Sequence, residues 1–242
     1  MSALQEALRT LRPQAGDRHG PLMPLMLALT VLTGVVDATS YLKFGHVFVA
    51  NMTGNVVFLG FALAGAQGLS SITALVALGS FLLGAMAGGW LGARNALHRG
   101  RVLRAASVAQ IALIAIALIV ALAVGEPLDS ASRYALLVPL ALAMGVQNAA
   151  AQRLVVPELT TTVLTRTLTG LASEAGIVGG PGAKFGRRAV AVAAMLLGAL
   201  TGALLVLHVA IAAALALAAA IAAIVGIVAH VLSGSDAPWV KT

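Results

Sequence analysis

The chain contains apolar runs long enough to cross a lipid bilayer, and this constrains its fold more than any motif. Pro21–Asp37, Ile72–Leu91, Val108–Val124, Ala135–Val146 and Val190–Leu232 are such runs or parts of them. A helical span needs about 20 predominantly apolar residues. Hydrophobic residues make up 60% of the chain and charged residues 10%, too little charge to cover a soluble domain of 242 residues. An outer-membrane barrel would show alternating segments of about ten residues, and the sequence has none. The expected fold class is an all-α polytopic membrane protein. Val190–Leu232 is long enough for two helices and a turn, with His208 marking that turn at the outer face and His230 terminal.

The chain has no cysteine, which excludes disulfides, thiolate chemistry and cysteine-based metal sites. The net charge of +7 comes from Arg and Lys clustered at span ends, as cytoplasmic loops have them, and no basic stripe carries interleaved aromatics. A nucleic-acid partner is not expected. Residues 1–20 read as a cytoplasmic arm, with Ala3–Leu11 forming a short amphipathic helix before Pro13. No small-residue cleavage site follows the first apolar run, so a signal peptide is not expected.

The sequence repeats itself. "FLLGAMAGGWL" at Phe81–Leu91 resembles "MLLGALTGALL" at Met195–Leu205, at an offset of 114. Gly34 in "LTGVVDA" faces Gly145 in "LAMGVQNAA" at an offset of 111, and Thr53 faces Thr165 at 112. Three matches in one order indicate an internal duplication. Charge then tests topology. With eight crossing segments, the Lys and Arg other than Arg166 divide eight inside and six outside. If the Thr/Asn-rich segments 46–66 and 159–176 instead enter and return on one side, twelve lie inside, and only Lys43 and Arg133 outside. The positive-inside rule favours the second solution. The expectation is about six transmembrane helices plus two broken or re-entrant segments, as an inverted 3+3 repeat. One transmembrane domain spans 21–232, with repeats at 21–125 and 133–232, and 233–242 is a cytoplasmic tail. Inverted repeats are a common build of secondary transporters.

Polar residues inside the apolar frame mark the candidate site. "HVFVANMTGNVVFLGFALAG" carries Asn51, Thr53, Gly54 and Asn55. Glycine permits unusual backbone angles. The amides and the hydroxyl either satisfy a broken helix and line a solute site, or hydrogen-bond neighbouring helices. In the mirror stretch, Thr162 and Thr165 share a helical face. Arg166 either sits in a cavity, pairing with Asp37 or an anion, or snorkels to the cytoplasm. Asp37, in the outer third of its span, is a proton or cation site or an ordinary span-end charge. Gln147 and Asn148 stand at its mirror position and suit a polar lining. Glu158 and Glu174 flank the second Thr-rich segment as interfacial charges. Gly84, Gly88 and Gly89, with Gly198 and Gly202, form close-packing patterns, and these two glycine helices are expected to face each other across the pseudo-symmetry axis. "GGPG" at Gly179–Gly182 is a loop.

"GVVDATSYLKFGHVFVANMTGNVVFLG", "MGVQNAAAQRL", "TTTVLTRTLTG" and "RRAVAVAAMLLGALTGALL" together resemble the YoaK-like membrane protein family, domain of unknown function 1275, over roughly residues 22–232. The resemblance implies a bacterial cytoplasmic-membrane protein of about six spans, and no established activity. Where the family's second motif is more often Thr-Gly-Thr-like, this chain has Thr165-Arg166-Thr167, which separates Arg166 from any family-wide mechanism.

The functional expectation is a small secondary transporter for a small polar or anionic solute, multi-pass, with both termini cytoplasmic. The candidate substrate-binding residues are Asp37, Asn51, Thr53, Gly54, Asn55, Asn148, Thr162, Thr165 and Arg166. The rival readings are a passive channel and a non-transporting scaffold or sensor. An enzyme is not expected, because no nucleophile–base or metal constellation is visible. No cofactor is implied. The expected partners are the lipid bilayer and an unidentified solute, with a homodimer as a further possibility.

Overall fold

The computed structural model describes residues 3–12, 17, 19–156, 164–174 and 184–240. Nine α-helices occur among the described residues, and no strand. They are α1 (Ala3–Leu11), α2 (Leu22–Lys43), α3 (Met52–Leu63), α4 (Ser71–Arg94), α5 (Arg99–Ala123), α6 (Ser130–Leu154), α7 (Leu164–Ser173), α8 (Phe185–His208) and α9 (Ile211–Leu232). Six of them, α2, α4, α5, α6, α8 and α9, are long and apolar enough to cross a membrane. The run Val190–Leu232 divides into α8 and α9 at Val209–Ala210, directly after His208. α3 has 12 residues. At 1.5 Å per residue it reaches about 18 Å, short of a hydrocarbon core of about 30 Å.

Local chemistry sets these boundaries. Ser70, His98 and Asp129 cap α4, α5 and α6 by accepting the backbone N–H of Thr73, Arg101 and Ser132. Within α2, the hydroxyls of Thr30, Thr33 and Thr39 donate to the carbonyls of Met26, Leu29 and Val35 at 2.8–2.9 Å, so none is left unpaired in the core.

The helix ends gather on two faces. On the first, buried Arg99 at the start of α5 donates to the carbonyls of Leu154 and Val155 at the end of α6 and to the Trp239 carbonyl, and it meets His19 Nδ1 at 3.3 Å. Its cation sits where the C-terminal dipole of α6 is negative. The turn Pro238–Val240 folds back there, with Trp239 packed over Gly20 so closely that any side chain at position 20 would strike the indole. His98 Nε2 meets the Ser235 carbonyl at 3.0 Å, and Gly92 near the end of α4 lies under the Arg153 side chain. On the second face, Lys43 at the end of α2 pairs with Glu126 in the α5–α6 loop at 2.6 Å. Glu126 also accepts from the Ile211 N–H at the start of α9. Thr73 near the start of α4 bonds the Tyr134 hydroxyl near the start of α6 at 3.2 Å. The chain from Phe44 to Ser70 therefore leaves and returns on the second face. α6 ends and α8 begins on the first, with α7 packed against α8 there.

α2 and α6 form the centre: 78% and 67% of their apolar stretches are buried, against 28–39% for the other four spans. α2 packs on α8, and α6 packs on α4, each pair parallel. A side chain at Gly84 or Gly88 would enter the backbone of Leu142 or Val146; one at Gly198 or Gly202 would enter that of Val31 or Val35. Gly145 abuts Phe81, Gly84 and Ala85, while Gly34 abuts Met195, Gly198 and Ala199. These are the same contacts, displaced by the offsets of the duplication. The expectation that the two glycine helices face each other is thus corrected. Each presents its glycines to the first long helix of the other half, because that crossing lets backbone meet backbone, and Gly89 faces open space.

Candidate functional site

Asp37 lies two turns before the end of α2 and is 4% exposed. After α2 the chain turns at Gly45 (φ +95°) and His46 (φ +58°), and Val47, Val49 and Ala50 drop into the core. Asp37 Oδ1 accepts the N–H groups of Val49 at 3.0 Å and Ala50 at 2.8 Å. Asn55, fully buried in the first turn of α3, pairs with Phe48 on both sides. Its Oδ1 accepts the Phe48 N–H at 2.8 Å, and its Nδ2 donates to the Phe48 carbonyl at 2.7 Å. The side-chain amide thus stands where a neighbouring strand would, satisfying backbone that is in neither helix nor sheet. Gly54 lets the Phe48 ring lie directly on α3; a side chain there would come within 2.9 Å of it. Phe48 in turn stacks on Tyr41 and Phe58.

Asp37, Gly54 and Asn55 are therefore brought together as a latch on the returning segment. Asp37 Oδ2 is buried and has no hydrogen-bond partner. Asn51 and Thr53 are exposed, and Asn51 reaches Asp37 through its backbone N–H and not its side chain. Outside the spans on this face, the Lys43 hydrogen bond holds the Glu126 carboxyl below the usual carboxylate range.

Asn148 is half-buried and donates to the Met144 carbonyl of its own helix at 2.9 Å. Its neighbour Gln147 carries the central polar feature. Gln110 Nε2 on α5 donates to Gln147 Oε1 at 2.6 Å, Gln147 Nε2 donates to Thr33 Oγ1 on α2 at 2.9 Å, and Thr33 donates to Leu29. All three side chains are at most 2% exposed. The relay falls between two apolar clusters. One includes Leu22–Leu29, Val102–Ala106 and Trp239, on the first-face side; the other includes Val35, Ile114 and Leu136–Met144, on the second-face side. It lies at mid-height in the bundle, where the first long helices of both halves meet. Gln110 is absent from the sequence-based candidates. Its only signal is one amide near the start of the apolar run Val108–Val124.

Thr165 and Arg166 are exposed on α7, at the first face, whereas Thr167 is buried. Arg166 and Asp37 thus stand at opposite ends of the bundle, and of the alternatives for Arg166 the pairing with Asp37 is not found. The cation that organises this segment is Arg188 of α8, 5% exposed, which donates to the Gly170 carbonyl at 2.6 Å and pairs with Glu174 at 3.0 Å. Thr162, the neighbouring threonines 160 and 161, Glu158 and the Gly179–Gly182 loop lie outside the described residues.

The sequence model of a protein family described as "Protein of unknown function (DUF1275)" matches residues 25–228. A similar protein, "UPF0700 transmembrane protein YoaK" of Bacillus subtilis (strain 168), is 33% identical over 152 residues, which are 62% of this chain and 65% of that relative. The match therefore spans slightly less than two thirds of the relative's length. No solved structure matches. With six membrane-length helices and a family match covering both halves of the bundle, the chain is a multi-pass membrane protein that belongs to the DUF1275 family.

Proposed function

We propose that the protein is a small secondary transporter for a small polar or anionic solute in the bacterial cytoplasmic membrane, built as an inverted-topology repeat of two three-span halves. The observation that carries this reading is the buried relay Gln110–Gln147–Thr33 at mid-height, between the first long helices of the two halves. Secondary transporters place their solute sites at the midplane of the repeat interface. Polar side chains buried at this depth are costly unless they pair with each other or with a ligand. The amides offer both donors and acceptors, so opening the relay would present a neutral hydrogen-bonding surface to the solute, with Asn148 beside it. Asp37 is the acidic side chain buried in the second-face half of the bundle, and its Oδ2 is the acceptor available to a coupling proton or cation. The first face, with most of the Arg and Lys, is cytoplasmic.

The test is uptake into liposomes by the purified protein, with Gln147→Leu and Asp37→Asn beside it. Gln147→Leu should abolish flux while the protein remains monodisperse, and Asp37→Asn should uncouple flux from the ion gradient. Absence of flux across a broad solute panel, with Gln147→Leu also silent in the host, refutes the reading. Cysteines placed at Lys43, Gln67 and Asp129 should all label from outside intact cells, and one at Arg101 should not. A second reading, a scaffold or sensor, is favoured by the fact that Asn55 and one oxygen of Asp37 are engaged in holding backbone. It requires that removing residues 1–20 abolish the host function while Gln147→Leu leaves it intact.

A further inference from the structure

α1 is too short to cross a membrane, yet its leucines are turned away from the bundle. Thr10 is fully buried, and Glu6 Oε2 accepts the Gly186 N–H in the first turn of α8, so α1 is docked where α8 begins its apolar run. At 100° per residue, Leu4, Leu8 and Leu11 form one stripe on the side away from that docking contact. They are 71%, 53% and 50% exposed. Arg12 lies along one edge of the stripe, with Arg9 further round, and both are exposed. An apolar stripe edged by arginine, at the level where a span enters the bilayer, fits the headgroup–acyl boundary. The exposed apolar surface also continues up α8 through Phe185, Leu196, Leu197 and Leu200.

From this we infer that α1 is a lipid-binding element that lies in the plane of the first-face leaflet, with Leu4, Leu8 and Leu11 among the acyl chains and Arg9 and Arg12 on anionic phospholipid headgroups. Three leucines on a nine-residue helix offer far less area than the roughly 800 Å² per partner of a stable protein interface, so a second copy is the weaker occupant. The inference rests on the membrane fold and is independent of any transport activity.

The chain has no native cysteine, so Leu8→Cys and Leu4→Cys in the full-length protein each accept one environment-sensitive fluorophore; Asp129→Cys on the second-face loop gives the aqueous reference. The proteins are reconstituted in vesicles of phosphatidylcholine with or without phosphatidylglycerol. Labels at positions 4 and 8 should emit blue-shifted light and lose roughly half their intensity to lipids nitroxide-labelled high on the acyl chain. Arg9→Gln and Arg12→Gln should each lower the inserted-to-free ratio about fivefold in the anionic vesicles. Emission matching the Asp129 reference, with quenching by aqueous iodide, would show a solvated face and overturn the inference. Blue-shifted emission without lipid quenching, with energy transfer between labelled copies, would assign the face to a second copy and overturn it equally.

Discussion

The two short helices that stand between spans of the bundle, α3 and α7, are held by opposite chemistry. In the first, an acidic side chain from the preceding span reaches forward: Asp37 takes the N–H groups of Val49 and Ala50, and Asn55 closes the turn on Phe48. In the second, a basic side chain from the following span reaches back, with Arg188 taking the Gly170 carbonyl and Glu174 near the end of α7. The difference follows from which end of the short helix is anchored. Unpaired N–H groups gather before α3 and call for an acceptor, and unpaired carbonyls gather at the end of α7 and call for a donor. The residues that anchor α3 and α7 are thus unrelated in type and in position. Asn148, at the mirror position of Asp37, donates to the Met144 carbonyl of its own helix.

Breaking the first anchor should cost most. Asp37→Ala strands two buried N–H donors, and at about 1–3 kcal/mol for each it should lower unfolding free energy in detergent by roughly 4 kcal/mol. A cysteine at Val49 should then label from the second face, while the first face stays protected. Asn55→Ala strands both polar groups of Phe48 and should cost roughly 2–3 kcal/mol, measured by the same denaturant titration. Arg188→Gln should cost about 2 kcal/mol and expose α7 to proteolysis from the first face only. If either change loosens both segments, the anchors are not independent. A finer test is acid. The folded state holds the Glu126 carboxyl low through Lys43, so this pair contributes stability above the unfolded carboxylate value and loses it as pH falls through the lowered one. Because Glu126 is 40% exposed, the loss should stay under about 1 kcal/mol and vanish in Lys43→Met. Arg166→Ala should change stability by less than about 0.5 kcal/mol, since the side chain is exposed.

Much of this frame was legible in the sequence. Apolar run length located the spans, and the placement of Lys and Arg favoured two returning segments; the end of α2 and the start of α4 share one face, as the first of them requires. The duplication offsets located the reciprocal glycine contacts but not the partners, since a two-fold relation permits either pairing and only the close backbone approach decides. The candidate site was less legible. Asn51 and Asn55 are spaced to share a helical face, yet Asn51 precedes α3 with φ −89° and ψ 79°, so the helical period does not apply to it. Arg166 drew attention as a charge in an apolar stretch, whereas the anchoring charge was Arg188, unremarkable at a span end. Gln110 could be found only from its partner, because an isolated amide says nothing about what lies across the bundle.

The turn that carries Trp239 back over Gly20 also sets an order in time. Spans enter a membrane as they are made, so α2 is in place long before Trp239 leaves the ribosome. Until then, Gly20 has no indole above it, and Arg99 has the α6 carbonyls without that of Trp239. The first face is therefore closed only after all six spans have been made, when Trp239 reaches Gly20 and Arg99. A bulky fusion placed immediately after Val240 would compete with that closure, and reporters are better carried on the exposed loop around Gln67.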